Sequence, residues 1–127
     1  MQGKHLFEYA LIRLVPRVER EEFVNVGVVV CCKRQNFIAC KIHLHEQKLL
    51  ALDPDVDLDL VRRYLDSFER ICKGENPENP IALLDASSRF RWLTAMRSSM
   101  LQTSRPHGGF SEDLVETLTC LFQEYVA

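Results

Sequence analysis

Hydrophobic and polar positions alternate along the first third of the chain. Residues 6–15 are mostly apolar and end at Pro16, residues 23–32 are apolar on both faces, and residues 37–44 are apolar on one face. A period of two is typical of β-strands, and a strand that is apolar on both faces lies at the centre of a sheet. The pattern therefore predicts three strands, of which the last two form an antiparallel hairpin.

The hydrophobic period changes to about 3.6 after His45, which predicts helices. We expect a short helix over residues 46–52 and a longer one that Asp57 caps and Gly74 ends. Residues 89–96 alternate again and predict a fourth strand, and a last helix follows Ser111 as its N-cap. Strands followed by helices favour an α+β fold, with an antiparallel sheet of about four strands and helices packed on one face.

The composition is that of an ordinary globular domain. The 127 residues are 46% hydrophobic and 27% charged, with a net charge of −2, so we expect a single domain over residues 1–127. The longest apolar run, residues 26–32, is far shorter than the roughly 20 residues that cross a bilayer. The start of the chain lacks the features of a secretory signal, so we expect a cytoplasmic protein without membrane association.

Five cysteines occur without a C-x-x-C spacing, which predicts reduced thiols that behave as small buried hydrophobic groups. His43 and His45 have a spacing that metal sites use, but no third ligand follows at a suitable spacing. The sequence also lacks the glycine-rich phosphate loops and the H-E-x-x-H motif. We therefore predict neither a metal nor a cofactor.

Positive charge is concentrated between residues 87 and 110, where four arginines occur without any carboxylate. The planar guanidinium group suits recognition of phosphate or carboxylate, and neighbouring hydroxyl, amide and imidazole groups add donors. Alternatively, the arginines pair with acidic residues elsewhere and form surface networks that contribute little. The candidate anion-binding or partner-binding residues of this stretch are Arg89, Arg91, Arg97, Ser98, Gln102 and His107.

Asn25 interrupts the apolar central strand, and Gly27 follows on the same face. Asn25 either projects into a pocket whose floor Gly27 opens or ties down the loop over residues 17–22. Gly27 equally suits a bulge or close packing against Trp92. Glu22, at the mouth of this strand, is the carboxylate that we select as a candidate general base. Nucleic-acid binding is disfavoured, because the isoelectric point is near 6.1 and the alternation places aromatic residues opposite the arginines.

Two blocks of the sequence resemble a bacterial family known as domain of unknown function 3037. These blocks are YALIRLVPRVEREEFVNVGVVV, residues 9–30, and RFRWLTAMRSSMLQ, residues 89–102, with His107 and Gly109 following. The resemblance implies a small cytoplasmic bacterial protein without an established activity. It also implies an accessory role beside a kinase-like partner related to the HipA toxins.

Two hypotheses of function follow from these observations. In the first, the protein is a non-enzymatic binding or accessory module, and an arginine-lined groove takes a phosphate, an acidic peptide or the carboxylates of a partner. In the second, it is a small phosphate-processing hydrolase or nuclease, with Glu22 or His107 as the base and arginines that stabilise the transferred group. A scaffold that assembles through an exposed sheet edge is a third alternative. The oligomeric state stays open.

Overall fold

The computed structural model describes residues 3–75, 78–95 and 99–127. Its strands are β1 (His5–Leu14), β2 (Val24–Cys32), β3 (Phe37–Ile42), β4 (Leu101–Thr103) and β5 (His107–Ser111). Its α-helices are α1 (Glu46–Leu52), α2 (Leu58–Lys73), α3 (Ala86–Leu93) and α4 (Leu114–Tyr125), and single 3-10 turns cover Val18–Arg20 and Pro80–Leu83. None of the helices described has both the length and the apolar character needed to cross a bilayer.

The strands form one antiparallel sheet in the order β3-β2-β1-β4. Strand β5 also pairs with β1, on the same edge as β4: β4 pairs with residues 12–14 of β1 and β5 with residues 5–9. The α+β class predicted from the sequence is confirmed, with five strands in the sheet. The first three strands and the helices over residues 46–52 and 58–73 lie where the hydrophobic pattern predicts them. Asp57 accepts a hydrogen bond from the Leu60 N–H, and Gly74 ends the helix in the left-handed conformation at φ 70°.

A β-bulge interrupts the pairing of the two central strands. Ile12 pairs with Gly27 and the next residue, Arg13, pairs with Asn25, so Val26 is an extra residue in β2. The bulge changes which residues of β2 share a face. Val24 and Val26 therefore pack in the same core cluster as Val29, rather than with Val28 as simple alternation predicts.

Helices cover both faces of the sheet instead of one. Helices α2 and α3 supply Leu65, Phe68 and Phe90 to one buried cluster, whereas α4 supplies Leu118 and Phe122 to another. Consecutive residues of β2 belong alternately to the two clusters, because consecutive side chains of a strand point to opposite faces of the sheet. A central strand with two apolar faces needs a helical layer on each side, which explains the difference from the expected single layer.

The predicted fourth strand is wrong, because Ala86–Leu93 is a helix and Thr94 its C-cap. Asp85 caps this helix by accepting a hydrogen bond from the Ser88 N–H at 2.8 Å. Ala86, Phe90 and Leu93 are buried, and their spacing places them on one side of a helix. The alternation of Phe90 and Trp92 misled the prediction, since only the first of these aromatic rings is buried.

Strands β4 and β5 lie between the predicted fourth strand and the last helix, where the hydrophobic pattern predicted no element. Ser111 does not cap the last helix as predicted. It ends β5, and its Oγ accepts a hydrogen bond from the Asp113 N–H and lies in hydrogen-bond contact with Thr117 Oγ1. Asp113 is the N-cap, because its carboxylate accepts hydrogen bonds from the Val115 and Glu116 N–H groups.

Candidate functional site

Three polar residues lie side by side across β2, β1 and β4. The strand register pairs Arg13 with Asn25 on one side and with Gln102 on the other. Because Ile12 and Leu14 pack against α2 and α3, Arg13 between them points to the face that α4 covers. We call Asn25, Arg13 and Gln102 the polar row. It lies at the end of the sheet where α4 terminates, since Asn25 contacts Tyr125.

Arg13 is half-buried and has no hydrogen bond or ion pair within residues 3–75, 78–95 and 99–127. Its guanidinium carbon lies 4.1 Å from the centroid of the Phe23 ring, in cation–π contact. Burial lowers the pKa of Arg13. The Nε atom is a buried donor without a described acceptor, and an unmade hydrogen bond of this kind costs about 1–3 kcal/mol. The side chain is thus held in place with its donors unused.

Asn25 contributes an unused acceptor beside this unused donor. Its Nδ2 donates a weak hydrogen bond of 3.4 Å to the Tyr125 carbonyl, and its Oδ1 is buried without a described donor. The amide therefore contacts the end of α4, and this contact is neither of the two alternatives that the sequence left open, a pocket above Gly27 or the loop over residues 17–22. Gln102 donates from Nε2 to the Ser99 carbonyl at 2.8 Å.

An open recess of about 670 Å³ adjoins the polar row. Arg13, Gln102, Arg105 and His107 line it, and Glu21 is the carboxylate among its described lining residues. The His107 ring contacts the Tyr9 ring at 5.4 Å between centroids. Arg105 and His107 are exposed to solvent. The recess therefore combines a half-buried cation, an exposed cation and neutral donors, which is an arrangement that binds anions.

The structure brings together three of the residues predicted from the sequence. Asn25 and Gln102 belong to the polar row, and His107 lines the adjoining recess. Arg97 and Ser98 lie outside the described residues. Sequence reasoning missed Arg13 as a candidate. The sequence shows an arginine inside the apolar run of β1, but it does not show that this side chain lacks an acceptor.

The two arginines of α3 lie apart from this recess. Arg89 donates from Nη1 to the carbonyls of Cys72 at 2.7 Å and Ile71 at 3.4 Å, at the C-terminal end of α2. This contact satisfies helix carbonyls that have no partner within the helix. Arg91 is exposed and donates to Ser87 Oγ at 3.3 Å. Neither side chain lines the recess beside the polar row.

A family model described as Protein of unknown function (DUF3037) matches residues 9–126. The chain belongs to this family. The matched residues include the whole polar row and all four α-helices of the DUF3037 fold described here. No curated protein and no solved structure matches the chain.

The structure also shows the surroundings of Glu22 and Gly27, two further residues that the sequence analysis of this DUF3037 protein singled out. Glu22 is exposed and pairs with Arg20 at 2.8 Å, and the carboxylate that lines the recess is that of its neighbour Glu21. A Cβ atom on Gly27 would lie 2.8 Å from the Lys41 carbonyl oxygen and 3.0 Å from Ile12 Cδ1. Gly27 therefore permits close packing beside the bulge, against atoms of the two neighbouring strands β1 and β3.

The paired histidines and the cysteines of the DUF3037 chain lie apart from the recess. The His43 and His45 rings contact each other at 4.4 Å, and His45 Nε2 lies 2.9 Å from the Val126 carbonyl oxygen. All five cysteines are free thiols; Cys31, Cys32 and Cys72 are buried. Cys40 is half-buried and Cys120 exposed, so the prediction of burial holds for three of the five. The described part of the chain contains no group of three or more histidine, cysteine or acidic side chains placed to hold a metal ion.

Proposed function

We propose that this DUF3037 protein is a binding module, and that the recess beside the polar row takes an anionic group, either a phosphate or a carboxylate. The observation that carries the proposal is the half-buried guanidinium of Arg13, for which no acceptor exists among the described residues. The Nε atom is closed to solvent, so an anion in the recess would be bound by the Nη groups, which form no hydrogen bond to the described residues.

The surroundings of Arg13 support an anion rather than a neutral ligand. Contact with Phe23 holds the guanidinium plane, so little side-chain entropy remains to be lost on binding. Arg105 adds a second positive charge, and His107 adds a donor, against the single described carboxylate of Glu21. Gln102 lies next to Arg13 across the strand pair, where its amide can contact the same ligand.

The anionic group belongs either to a small molecule or to an acidic segment of a partner protein. A partner is consistent with the accessory role that the family resemblance implies, including the kinase-like protein related to the HipA toxins. The openness of the recess to solvent suits both ligands, because neither requires full enclosure. The bacterial source and the cytoplasmic location stay predictions.

Calorimetric titration with inorganic phosphate and with citrate tests the proposal. We expect Arg13→Gln to weaken binding by about 10- to 100-fold, since a hydrogen bond to a charged group contributes about 1.5–3 kcal/mol. Arg91→Gln is the matched control, because it removes an exposed arginine on the other side of the sheet, and we expect its affinity to equal that of the wild type. Loss of binding in Arg91→Gln with normal binding in Arg13→Gln would place the site elsewhere.

The alternative of a phosphate-processing enzyme is tested on the same protein. Release of phosphate from a panel of phosphate esters is measured with added Mg²⁺ or Mn²⁺. We expect no turnover above that of the buffer. Turnover that disappears in Glu22→Gln would contradict a purely binding role and support the hydrolase hypothesis.

A further inference from the structure

The recess beside the polar row has an apolar side as well as a cationic side. Strand β1 lies between the loop that precedes β2 and the segment that follows β4, and residues of all three line the recess. The loop contributes Val18, Glu21 and Phe23, and the segment after β4 contributes Arg105 and His107. The lining therefore offers contacts to more than a charged group.

Two large apolar side chains are exposed on the loop side of the recess. Val18 lies in the 3-10 turn and is 39% exposed, and Phe23 lies directly before β2 and is 45% exposed. The Arg13 guanidinium covers part of the Phe23 ring, and the rest of the ring is left to solvent with Val18. Transfer of this apolar surface from water to a ligand is favourable.

The charged groups of the recess lie beside this apolar surface. The Arg13 guanidinium carbon is 4.1 Å from the centroid of the Phe23 ring, so a group attached to an anion on the Nη atoms reaches that ring. Arg105 is exposed and forms no ion pair with any residue of the three described ranges. Glu21 lies on the loop side, where its charge repels an anion. A bound anion is thus directed towards Arg105, and its apolar part towards the loop.

We infer that the ligand of this recess is a small organic anion whose charged group is attached to an aromatic ring, such as an aryl phosphate or an aromatic carboxylate. The inference rests on the proposed function and names the class of ligand that the same site takes. The anionic group would contact Arg13 and Arg105, and the ring would cover Val18 and the exposed part of Phe23. The recess of about 670 Å³ lies within the roughly 300–1,000 Å³ that is typical of small-molecule sites.

An aromatic ring suits this surface better than an alkyl chain or an acidic peptide segment. Two aromatic rings attract each other beyond the effect of the area that they bury, and the ligand's ring would lie beside Phe23. A rigid ring also loses little conformational entropy on binding, whereas a flexible chain loses more. Aspartate and glutamate side chains carry their carboxylates on short stems, which would leave Val18 and Phe23 exposed.

Calorimetric titration with methyl phosphate and phenyl phosphate tests the inference, because the two esters share the anionic group and differ in the apolar group. We expect the wild type to bind phenyl phosphate about tenfold more tightly. In Val18→Ser, we expect this ratio to fall to about threefold, while methyl phosphate binds as in the wild type. Val115→Ser is the matched control, because Val115 on α4 is 62% exposed and is not among the residues that line the recess. Its ratio should stay that of the wild type.

The ratio of the two affinities separates this inference from the proposed function. Equal binding of both esters by the wild type would leave the anion site standing and overturn the aromatic ligand. Failure of inorganic phosphate and of both esters to bind would overturn the proposed function, and the inference with it. A ratio that falls equally in Val115→Ser would show unspecific adsorption of the ring and would also contradict the inference.

Two further probes examine the kind of apolar group and its source. Cyclohexyl phosphate has a ring of similar size without aromatic character, and we expect it to bind about threefold more weakly than phenyl phosphate. Equal binding of these two esters would contradict the preference for an aromatic ring. A phosphotyrosine peptide should bind no more tightly than phenyl phosphate. Much tighter binding of the peptide would assign the ring and its phosphate to a partner protein instead of a small molecule.

Discussion

Gly27→Ala tests whether the centre of the sheet has room beside the bulge. A Cβ atom at this position would lie 2.8 Å from the Lys41 carbonyl oxygen and 3.0 Å from both Ile12 Cδ1 and Ile42 Cγ1. These neighbours belong to the strands on both sides of β2. The side chains are themselves packed in the core, and the carbonyl belongs to the sheet backbone, so neither can move away at low cost.

The size of the effect follows from two opposing contributions. Overpacking a well-packed core by a methyl group costs about 1–3 kcal/mol, and contact with backbone favours the upper end of that range. Replacing glycine by alanine also reduces the entropy of the unfolded chain, which stabilises the protein by about 0.4–1 kcal/mol where the conformation is compatible. We therefore expect a net loss of about 2 kcal/mol, out of the roughly 5–15 kcal/mol that is typical of domains.

Urea unfolding followed by circular dichroism measures this loss, with Gly108→Ala as the matched control. Gly108 is also a strand glycine, but a Cβ atom there would approach nothing more closely than 3.7 Å, at the Phe7 carbonyl oxygen. We expect the control to be neutral or slightly stabilised. A Gly27→Ala protein within about 0.5 kcal/mol of the wild type would refute the reasoning, because it would show that space exists where the packing leaves none.

Two further predictions concern Arg89 and the cysteines. Arg89→Met should lower the free energy of unfolding by about 1–2 kcal/mol, because the Cys72 carbonyl loses its donor; unchanged stability with lost phosphate binding would instead assign Arg89 to a ligand. Burial raises the pKa of Cys31 to about 12, whereas Cys120 is exposed. Ellman's reagent at pH 8 should therefore modify one thiol rapidly in the folded protein, and Cys120→Ser should abolish that fast phase. Rapid modification of Cys31 would contradict its burial.

The sequence was most informative where one hydrophobic period continues through a whole element. The alternation in residues 23–32 predicted a central strand, and β2 is paired on both sides. The helix after Asp57 was predicted with its cap and its terminating glycine, because both signals are local. The prediction of a strand over residues 89–96 failed for the opposite reason. Their alternation is short, and the decisive cap, Asp85, lies before the segment that was considered.

The sequence predicted only part of the candidate site, because it shows the types of residue but not their neighbours in space. Asn25 was found because a polar group inside an apolar strand is conspicuous, and Gln102 and His107 were found by their place in an arginine-rich stretch. Arg89 and Arg91 were selected by local charge density, which carries no information about the direction in which a side chain points. Arg13 was missed because its importance depends on the absence of an acceptor, and this is a property of its neighbours in space.

The amino-acid sequence by itself determined the α+β class, the central hairpin and the ends of the long helix, since these depend on periodicity and on contacts between residues close in the chain. Only the tertiary structure decided that a bulge at Val26 redirects the side chains of β2, that helices cover both faces, and that Asn25, Arg13 and Gln102 form one row. The register between strands depends on the packing of all their side chains together, and residues that are distant in the chain become neighbours only when that register is set.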